Sequence, residues 1–174
     1  YFSASAGNSI YLTNDADYET KSSYSANVVL SDGSESVTKA FVLNITNVND
    51  NAPVITSSAT FSAAENQTSI GTVTATDADG SSISYSISGG PSADVAAISI
   101  NSSTGVLSFD TAPNYESKTS YSIVVTASDG TNSTTQNITI NITNVNEAPA
   151  FTSSATFSAA ENQTTIGSVS VTDP

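Results

Sequence analysis

The sequence lacks cysteine, histidine, arginine and tryptophan, and these absences exclude several classes of function. Without cysteine, neither a disulfide nor a thiolate metal site can stabilise the fold. Without cysteine or histidine, the common nucleophilic triads cannot be assembled. The chemistry of the chain therefore depends on its acidic, amide and hydroxyl side chains.

Basic residues are also scarce, since three lysines stand against 16 acidic residues and the formal net charge is −13. This balance excludes binding to nucleic acid or to an anionic membrane through a basic patch. The expected counter-ion is a cation. No apolar run approaches the roughly 18 to 20 residues that a membrane-spanning helix needs.

The apolar residues alternate with polar ones along the chain, a pattern typical of half-buried β-strands. Examples are Ile83, Tyr85 and Ile87, and the run Ile138, Ile140 and Ile142, with serine or threonine between them. Turn-forming pairs such as Asp79-Gly80 and Asp129-Gly130 separate these runs. About seven short strands without helical periodicity predict an all-β, Greek-key immunoglobulin-like sandwich.

A repeat of about 97 residues organises the chain. The segment TSSATFSAAENQT at 56–68 recurs unchanged at 152–164, and NITNVN at 44–49 recurs at 141–146. A repeat of this length is a domain-sized unit with its own core. The sequence therefore predicts tandem modules: the C-terminal half of a module at 1–50 (first segment), a complete module at 51–146 (middle segment) and the N-terminal strands of a third at 147–174 (last segment).

The acidic residues are concentrated in short motifs that repeat at module spacing, which hold 12 of the 16. In a sandwich such motifs lie at strand ends or in linkers, so carboxylates of adjacent modules would face one another. Two carboxylates about 4 Å apart repel by roughly 4 kcal/mol at an effective dielectric constant near 20. A hard cation with six to eight oxygen ligands suits this composition, whereas zinc would require histidine or cysteine.

These motifs resemble the cadherin family. NVNDNAP at 47–53 is similar to its inter-domain linker, DAD at 77–79 to its Asp-x-Asp loop, and AEN at 64–66 to its Glu-Asn strand. DYE at 17–19, NYE at 114–116 and ASDG at 127–130 follow the family pattern as well. The resemblance extends over nearly the whole chain and implies that Ca²⁺ binds at the module junctions.

At the first junction the resemblance implies side-chain ligands from the first segment, the linker and the middle segment. Val48 and Asn51 would add backbone carbonyl oxygens. The implied side-chain ligands are Asp17, Glu19, Asn49, Asp50, Asp77, Asp79 and Asp129.

At the second junction the resemblance implies a set that departs from the family pattern. Asn114 replaces an aspartate, Glu147 replaces the shorter linker aspartate, and one linker residue is deleted. Asn47 and Asn144 each replace the first linker aspartate. The implied ligands are Glu65, Glu116, Asn146, Glu147 and Asp173.

Several alternatives remain open from the sequence. The acids could form a solvated surface, or the modules could keep the fold without calcium. Seven Asn-x-Ser/Thr sequons suggest glycosylation, although composition alone accounts for about five. A flat ice-binding face is disfavoured because the repeat is too long for a solenoid, and a carboxylate acid–base pair is disfavoured because the acids are better explained as ligands.

The preferred interpretation is a non-enzymatic, calcium-stiffened spacer of a large extracellular adhesin or cell-surface filament, with adjacent modules of the same chain as partners. The shortened NEAP linker at 146–149 resembles bacterial surface repeats. The rival interpretation is a module that binds a like module or a surface carbohydrate, with Tyr11, Tyr18 and Tyr115 as candidate exposed rings. A further alternative is that the last segment of one chain complements the first segment of another, as donor strands do.

Overall fold

A computed structural model describes residues 2–4 and 10–174 of the chain. Residues 1 and 5–9 of the predicted first segment lie outside the described residues. Within the described part, no helix is long and apolar enough to cross a membrane. One short helix, α1 (Ser92–Val95), accompanies fifteen strands there.

The strands follow the alternating pattern of the sequence, and their lengths range from two to eleven residues. They are β1 (Phe2–Ala4), β2 (Ile10–Leu12), β3 (Ser23–Ser31), β4 (Ser36–Asn44), β5 (Val54–Ile55), β6 (Thr60–Ala64), β7 (Ser69–Thr72), β8 (Ala75–Thr76), β9 (Ser84–Gly89), β10 (Ile98–Ile100), β11 (Val106–Phe109), β12 (Ser120–Ser128), β13 (Ser133–Thr143), β14 (Ala150–Phe151) and β15 (Val171–Thr172).

Two sheets of the middle segment provide its core. One sheet has the strand order β6-β13-β12-β9, and the other has the order β10-β11-β7. The inward residues Ile138, Ile140 and Ile142 of β13 are buried, as the period-two pattern predicts. Leu107 of β11 is fully buried as well, so apolar residues of both sheets contribute to the core.

Strand pairing in the first sheet is not entirely antiparallel. β6 runs parallel to β13 in the register Thr60 to Thr139 through Ala64 to Thr143. In the second sheet β11 pairs antiparallel with β7, with a register shift between Leu107 and Ser108. The sheets touch through the rings of Phe109 and Tyr121, whose centroids are 4.9 Å apart at 60°. This edge-on geometry is favourable for aromatic pairs.

An ion pair between the buried Asp94 and the half-exposed Lys118 supports the same core and was not predicted from the sequence. The Asp94 carboxylate in α1 is buried and accepts hydrogen bonds from the Lys118 ammonium and the Ser122 N–H. The Lys118 ammonium also lies 4.4 Å from the centroid of the Tyr121 ring. A buried carboxylate with a cationic partner avoids most of the cost of desolvation.

The described chain contains two compact units. The first comprises the described residues up to 55 together with 75–84 and 127–134, and the second comprises residues 56–74, 85–126 and 135–174. The first unit thus joins the first segment and the linker to two loops of the middle segment, those that carry Asp77, Asp79 and Asp129. In that unit β3 and β4 form a two-stranded antiparallel sheet with Ser23 opposite Asn44 and Ser31 opposite Ser36.

Candidate metal sites

Three carboxylates of the first unit lie together, and we call them the first cluster. Glu19 comes from the first segment, Asp50 from the linker and Asp79 from the loop after β8. One carboxylate oxygen of each lies within 4.8 Å of the others. The predicted convergence of acids from three parts of the sequence is present for these three residues.

Asn51 organises the linker side of the first cluster. Its backbone N–H donates to Asp79 Oδ2 at 2.9 Å, and its side-chain amide lies 3.2 Å from Asp79 Oδ1 and 3.0 Å from Asp50 Oδ1. A carboxylate that accepts several N–H groups is held in one orientation. Asn51 therefore fixes both aspartates, a role beyond the carbonyl ligand that the sequence predicted.

The charges of the first cluster interact strongly. Glu19 accepts from its own backbone N–H, which lowers its pKa, but desolvation together with the hydrogen bond and repulsion of Asp79 leaves that pKa above its ordinary value. For Asp79, desolvation acts to raise the pKa, yet the N–H and amide of Asn51 hold the pKa below its ordinary value. The cluster therefore favours an added positive charge, either a proton on Glu19 or a cation.

Three further oxygens of the first unit are buried and accept no hydrogen bond: Asn49 Oδ1, Asp77 Oδ2 and Asp129 Oδ2. The other oxygen of each carboxylate is occupied. Asp77 Oδ1 accepts from Ser81 N–H at 3.0 Å, and Asp129 Oδ1 accepts from two backbone N–H groups at 2.6 Å. Burying a polar oxygen without a hydrogen-bond donor costs free energy of folding. An electropositive partner at each of these atoms would offset that cost.

This donor set fits a hard divalent cation. The oxygens come from aspartate, glutamate and an asparagine side chain, which are the ligands that Ca²⁺ takes in proteins. The three buried oxygens without a donor in the first unit belong to residues predicted as ligands, Asn49, Asp77 and Asp129, while the other two such atoms of the described residues, Ser57 Oγ and Gln136 Oε1, lie in the second unit. The chemistry of the residues therefore agrees with the cation implied by the resemblance.

The remaining predicted ligands of this junction, Asp17 and Val48, lie nearby, but their oxygens already accept hydrogen bonds. Asp17 Oδ1 and Oδ2 accept from the backbone and hydroxyl of Thr20 at 3.1 and 2.8 Å, and these bonds lower the Asp17 pKa. The Val48 carbonyl accepts from Asp50 N–H at 2.9 Å. Asp17, Glu19, Val48 and Asp50 all line one hollow of about 410 Å³.

Two asparagines that the sequence did not assign to the junction bind it through their amides. Asn132 donates to the carbonyl of Asn51 at 3.2 Å, and Asn47 donates to the carbonyl of Asp79 at 2.9 Å. In the sequence, Asn132 is marked only by an Asn-x-Ser/Thr sequon, and Asn47 only by the loss of a linker charge. An aspartate could not donate as Asn47 does, and this explains how the substitution is accommodated.

A second cluster in the second unit consists of Glu65, Glu116 and Glu147, with oxygens within 4.8 Å of one another. Glu65 is 1% exposed, and its two oxygens accept from the N–H groups of Tyr115 and Val145 at 2.8 Å each. These bonds lower the Glu65 pKa, with that from Tyr115 the larger cause. This cluster groups the three glutamates that the sequence predicted.

Amide donors occupy the other two carboxylates of the second cluster. Asn66 donates to Glu147 Oε1 at 2.7 Å, and Asn144 donates to Glu116 Oε1 at 3.1 Å. Asn146 donates to the carbonyl of Glu147 at 3.2 Å. Asp173 is exposed and is not part of either three-carboxylate cluster. Among the described residues, the second cluster has no buried, donor-free oxygen comparable to those of the first.

Comparison with known proteins identifies the family. The family model of the cadherin domain matches residues 57–143, which is half of the chain. The chain belongs to the cadherin domain family. The match covers β6 to β13 and includes the glutamates of NYE and of the Glu-Asn strand.

The relatives of this cadherin chain are large receptors. It is 34% identical over 170 residues to the cadherin EGF LAG seven-pass G-type receptor 1 of Mus musculus, and 34% identical over 142 residues to the receptor of the same name from Homo sapiens. These alignments cover 90% and 75% of the chain but only 6% and 5% of the receptors. The chain thus spans a small part of these curated relatives.

Solved structures give the same fold. A structure titled protocadherin gammaB7 EC3-6 cis-dimer matches with a TM-score of 0.70 and 25% identity. The match covers 99% of the present chain and 48% of the protocadherin chain. Extracellular cadherin domains 1–5 of protocadherin gamma B2 match with a TM-score of 0.69 and 26% identity. This match covers 84% of the present chain and 31% of the protocadherin chain. The predicted all-β, Greek-key immunoglobulin-like sandwich is confirmed.

Membership in this family of adhesion modules is consistent with the expectation of a non-enzymatic chain. The cadherin ectodomains that it resembles are extracellular, which agrees with the expected location in its broad form. The relatives found are animal receptors and protocadherins, so they support the family without supporting the narrower bacterial class.

Proposed function

We propose that this cadherin chain is a calcium-stiffened spacer of a large extracellular adhesin or filament, in which Ca²⁺ bridges successive modules. The proposal includes the division into modules at 1–50, 51–146 and 147–174. The shortened NEAP linker is the feature that supports a bacterial-type adhesin. Adjacent modules of the same chain are the expected partners.

The observation that carries this proposal is the set of donor-free buried oxygens on Asn49, Asp77 and Asp129. Solubility would explain acids at the surface, but it would not explain buried oxygens without a donor. These residues come from the linker and from two separate loops of the middle segment. A cation that satisfied them would therefore restrain the linker against the module that follows it.

At the first junction the cation ligands would be the predicted set. Glu19 and Asp79 support the set because an oxygen of each lies within 4.8 Å of the other and of an Asp50 oxygen, so a cation there would offset their mutual repulsion. When bound, Ca²⁺ would supply that charge and accept oxygen ligands from both sides of the linker. The side-chain ligands would be Asp17, Glu19, Asn49, Asp50, Asp77, Asp79 and Asp129, with the carbonyls of Val48 and Asn51.

At the second junction we expect weaker binding by Glu65, Glu116, Asn146, Glu147 and Asp173. Each glutamate of this set already accepts a hydrogen bond from an amide or backbone N–H. A cation would have to displace or share these N–H donors. The donors already offset part of the repulsion between the glutamates, so less repulsion is left for a cation to relieve. The second linker would therefore remain anchored by hydrogen bonds when calcium is low.

Adhesion between like modules is the alternative function. It is favoured by the match to a structure titled as a cis-dimer and by Tyr11 and Tyr18, which are 54% and 39% exposed. Tyr115, the third ring expected to be exposed for carbohydrate binding, is only partly exposed. The glycan form of this alternative therefore has less support than the protein form.

Calcium titration calorimetry combined with small-angle scattering tests the proposal. Asp77→Asn keeps the shape of the side chain but removes a charge, so calcium affinity should fall by about tenfold or more. Asp110→Asn is the matched control, because Asp110 is exposed and lies outside both clusters. In scattering, a chelator should alter the maximum dimension of the wild-type chain.

The two measurements separate the site from the function. Equal affinities for Asp77→Asn and Asp110→Asn would refute the ligand assignment. Calcium binding with an unchanged maximum dimension in chelator would leave the site but contradict the spacer role.

A further inference from the structure

The linker at 47–51 is held against the middle segment by hydrogen bonds between protein groups. At its start, the Asn47 amide donates to the Asp79 carbonyl at 2.9 Å. At its end, the Asn51 N–H donates to Asp79 Oδ2 at 2.9 Å, and Pro53, two residues further on, is fully buried. These contacts fix both ends of the linker, so the position of its middle depends on the groups that face Asn49.

Asn132 faces the middle of the linker from the turn between β12 and β13. Its Nδ2 lies 3.2 Å from the Asn51 carbonyl oxygen and 3.5 Å from the Asn49 carbonyl oxygen. Carbonyl oxygens only accept hydrogen bonds, so an amide donor is the group that this position requires. The neighbouring Thr131 hydroxyl accepts from the Asn49 side-chain amide at 3.3 Å. Two consecutive residues of one turn thus hold Asn49 by its backbone and by its side chain.

The turn itself fixes Asn132 in place. The Asn132 carbonyl accepts from the Asp129 N–H at 3.2 Å and from the Ser128 hydroxyl at 3.0 Å. The Asn132 N–H donates to Asp129 Oδ1 at 2.6 Å, a local bond of the kind that aspartate forms in turns. Gly130 has a φ of 94°, which glycine adopts without steric cost. The amide of Asn132 therefore projects towards the linker from a turn with its own hydrogen bonds.

This arrangement positions two of the donor-free oxygens of the first unit. Asn49 Oδ1 and Asp129 Oδ2 are buried and accept no hydrogen bond. Asn132 contacts both residues, since its amide donates to the Asn49 carbonyl and its N–H donates to the other oxygen of Asp129. Ligand atoms that are held in place beforehand lose less conformational freedom when a cation binds.

We propose that Asn132 is a positioning residue of the first junction. Its amide holds the linker at 49–51 on the turn between β12 and β13, and it thereby keeps the oxygens of Asn49 and Asp129 in their cation-binding arrangement. The cation part of this inference rests on the proposed function. The linker contact itself joins a neutral donor to carbonyl acceptors, so it holds the linker in the presence of a chelator as well.

Amide hydrogen exchange in chelator, followed by nuclear magnetic resonance, tests the linker contact without calcium. Asn132→Asp keeps the shape of the side chain but replaces its N–H donors by an oxygen that repels the linker carbonyls. Exchange of the Asn51 N–H should become about three- to tenfold faster, whereas exchange of the N–H of Ile140, a fully buried core residue, should not change. Asn137→Asp is the matched control, because Asn137 is exposed in β13 and the substitution adds the same charge.

Calorimetric titration tests the positioning role. Asn132→Ala is the variant for this measurement, because it removes the amide without adding a charge. The Kd for Ca²⁺ should rise about tenfold, as it does when a residue that orients a metal ligand is removed. Asn137→Ala should leave the Kd unchanged.

The outcomes separate this inference from the proposed function. Equal Asn51 exchange in the wild type and in Asn132→Asp would overturn the linker contact, whatever the calcium affinity. If exchange at Ile140 rose as much as exchange at Asn51, Asn132 would only stabilise the fold, and the positioning role would be wrong. An unchanged Kd for Asn132→Ala would also overturn that role. Faster Asn51 exchange in a chain whose wild type binds no calcium would support the linker contact and contradict the proposed function.

Discussion

At the scale of single residues, side chains of one type have separate tasks. Asp77 and Asp129 have a donor-free oxygen, whereas both oxygens of the Asp94 carboxylate are paired with Lys118 and Ser122. The sequence distinguishes these aspartates in part, because Asp77 and Asp129 occur in repeated motifs and Asp94 does not. The partner of Asp94 could not be predicted, since Lys118 is 24 residues away and no local pattern links the two.

Asp94 should stabilise the fold in a pH-dependent way. Burial acts to raise its pKa, but the Lys118 ammonium and the Ser122 N–H outweigh burial, so the pKa lies below the ordinary value of 3.8. A depressed carboxyl pKa contributes stability that is present above the unfolded pKa and is lost as pH falls through the folded pKa. Asp94→Asn should therefore cost about 2 kcal/mol at neutral pH and less at about pH 2, because stability is lost as pH falls below 3.8 towards the folded pKa.

Urea unfolding of the wild type and of Asp94→Asn at both pH values measures this difference. Asp110→Asn is the control at an exposed carboxylate, and it should change the free energy of unfolding by less than about 0.5 kcal/mol. A cost for Asp94→Asn that stayed constant down to low pH would contradict the assignment to the charged pair.

At the scale of strands, an identical sequence has two outcomes in one chain. TFSAA forms β6 at 60–64 but no strand at 156–160. The alternation that predicted strands was correct for the middle segment, where Ile123, Val125 and Ala127 of β12 are buried. It could not predict the difference in the last segment, because a strand requires a partner ladder: β6 pairs with β13, and the 174-residue sequence includes no repeat counterpart of β13 for residues 156–160.

The contact between Phe61 and Gly71 allows the effect of a partner strand on local packing to be measured. A Cβ added at Gly71 would lie 2.7 Å from Phe61 Cδ1, and one added at Gly167 would lie 2.4 Å from Phe157 Cδ1. Phe61 is held in the ladder with β13, so Gly71→Ala should destabilise the domain by about 1–3 kcal/mol. Gly167→Ala should change the free energy of unfolding by less than about 0.5 kcal/mol, because its ring can move.

Chemical denaturation of both variants compares them directly. The two substitutions are chemically identical, so intrinsic propensity cancels between them. Equal destabilisation would show that the last segment is as firmly packed as the middle one, contrary to the exposure of its apolar residues.

At the scale of the whole molecule, the net charge of −13 opposes compaction and any cation relieves it to some degree. The effect of general screening on stability must therefore be measured separately from that of cation binding at a site.

The motif spacing predicted the convergence of Glu19, Asp50 and Asp79 because the acids recur at module ends. It did not predict the amide donors Asn47 and Asn132, because asparagine is common throughout the chain.

Thermal unfolding at matched ionic strength distinguishes the two effects. Sodium ions act through screening, which depends on ionic strength alone, whereas Ca²⁺ bound to the folded state adds stability in proportion to RT ln(1 + [L]/Kd). With a Kd in the range of roughly 10⁻⁴ to 10⁻³ M, about 10 mM Ca²⁺ should add about 1.4–2.7 kcal/mol, and about 30 mM additional NaCl should add much less. Asp129→Asn should remove most of the calcium increment while leaving the sodium response unchanged, because it alters one donor-free oxygen and only one charge of sixteen. Equal responses to the two salts would mean that the acids act only as a diffuse charge, and the buried oxygens of Asn49, Asp77 and Asp129 would then require another explanation.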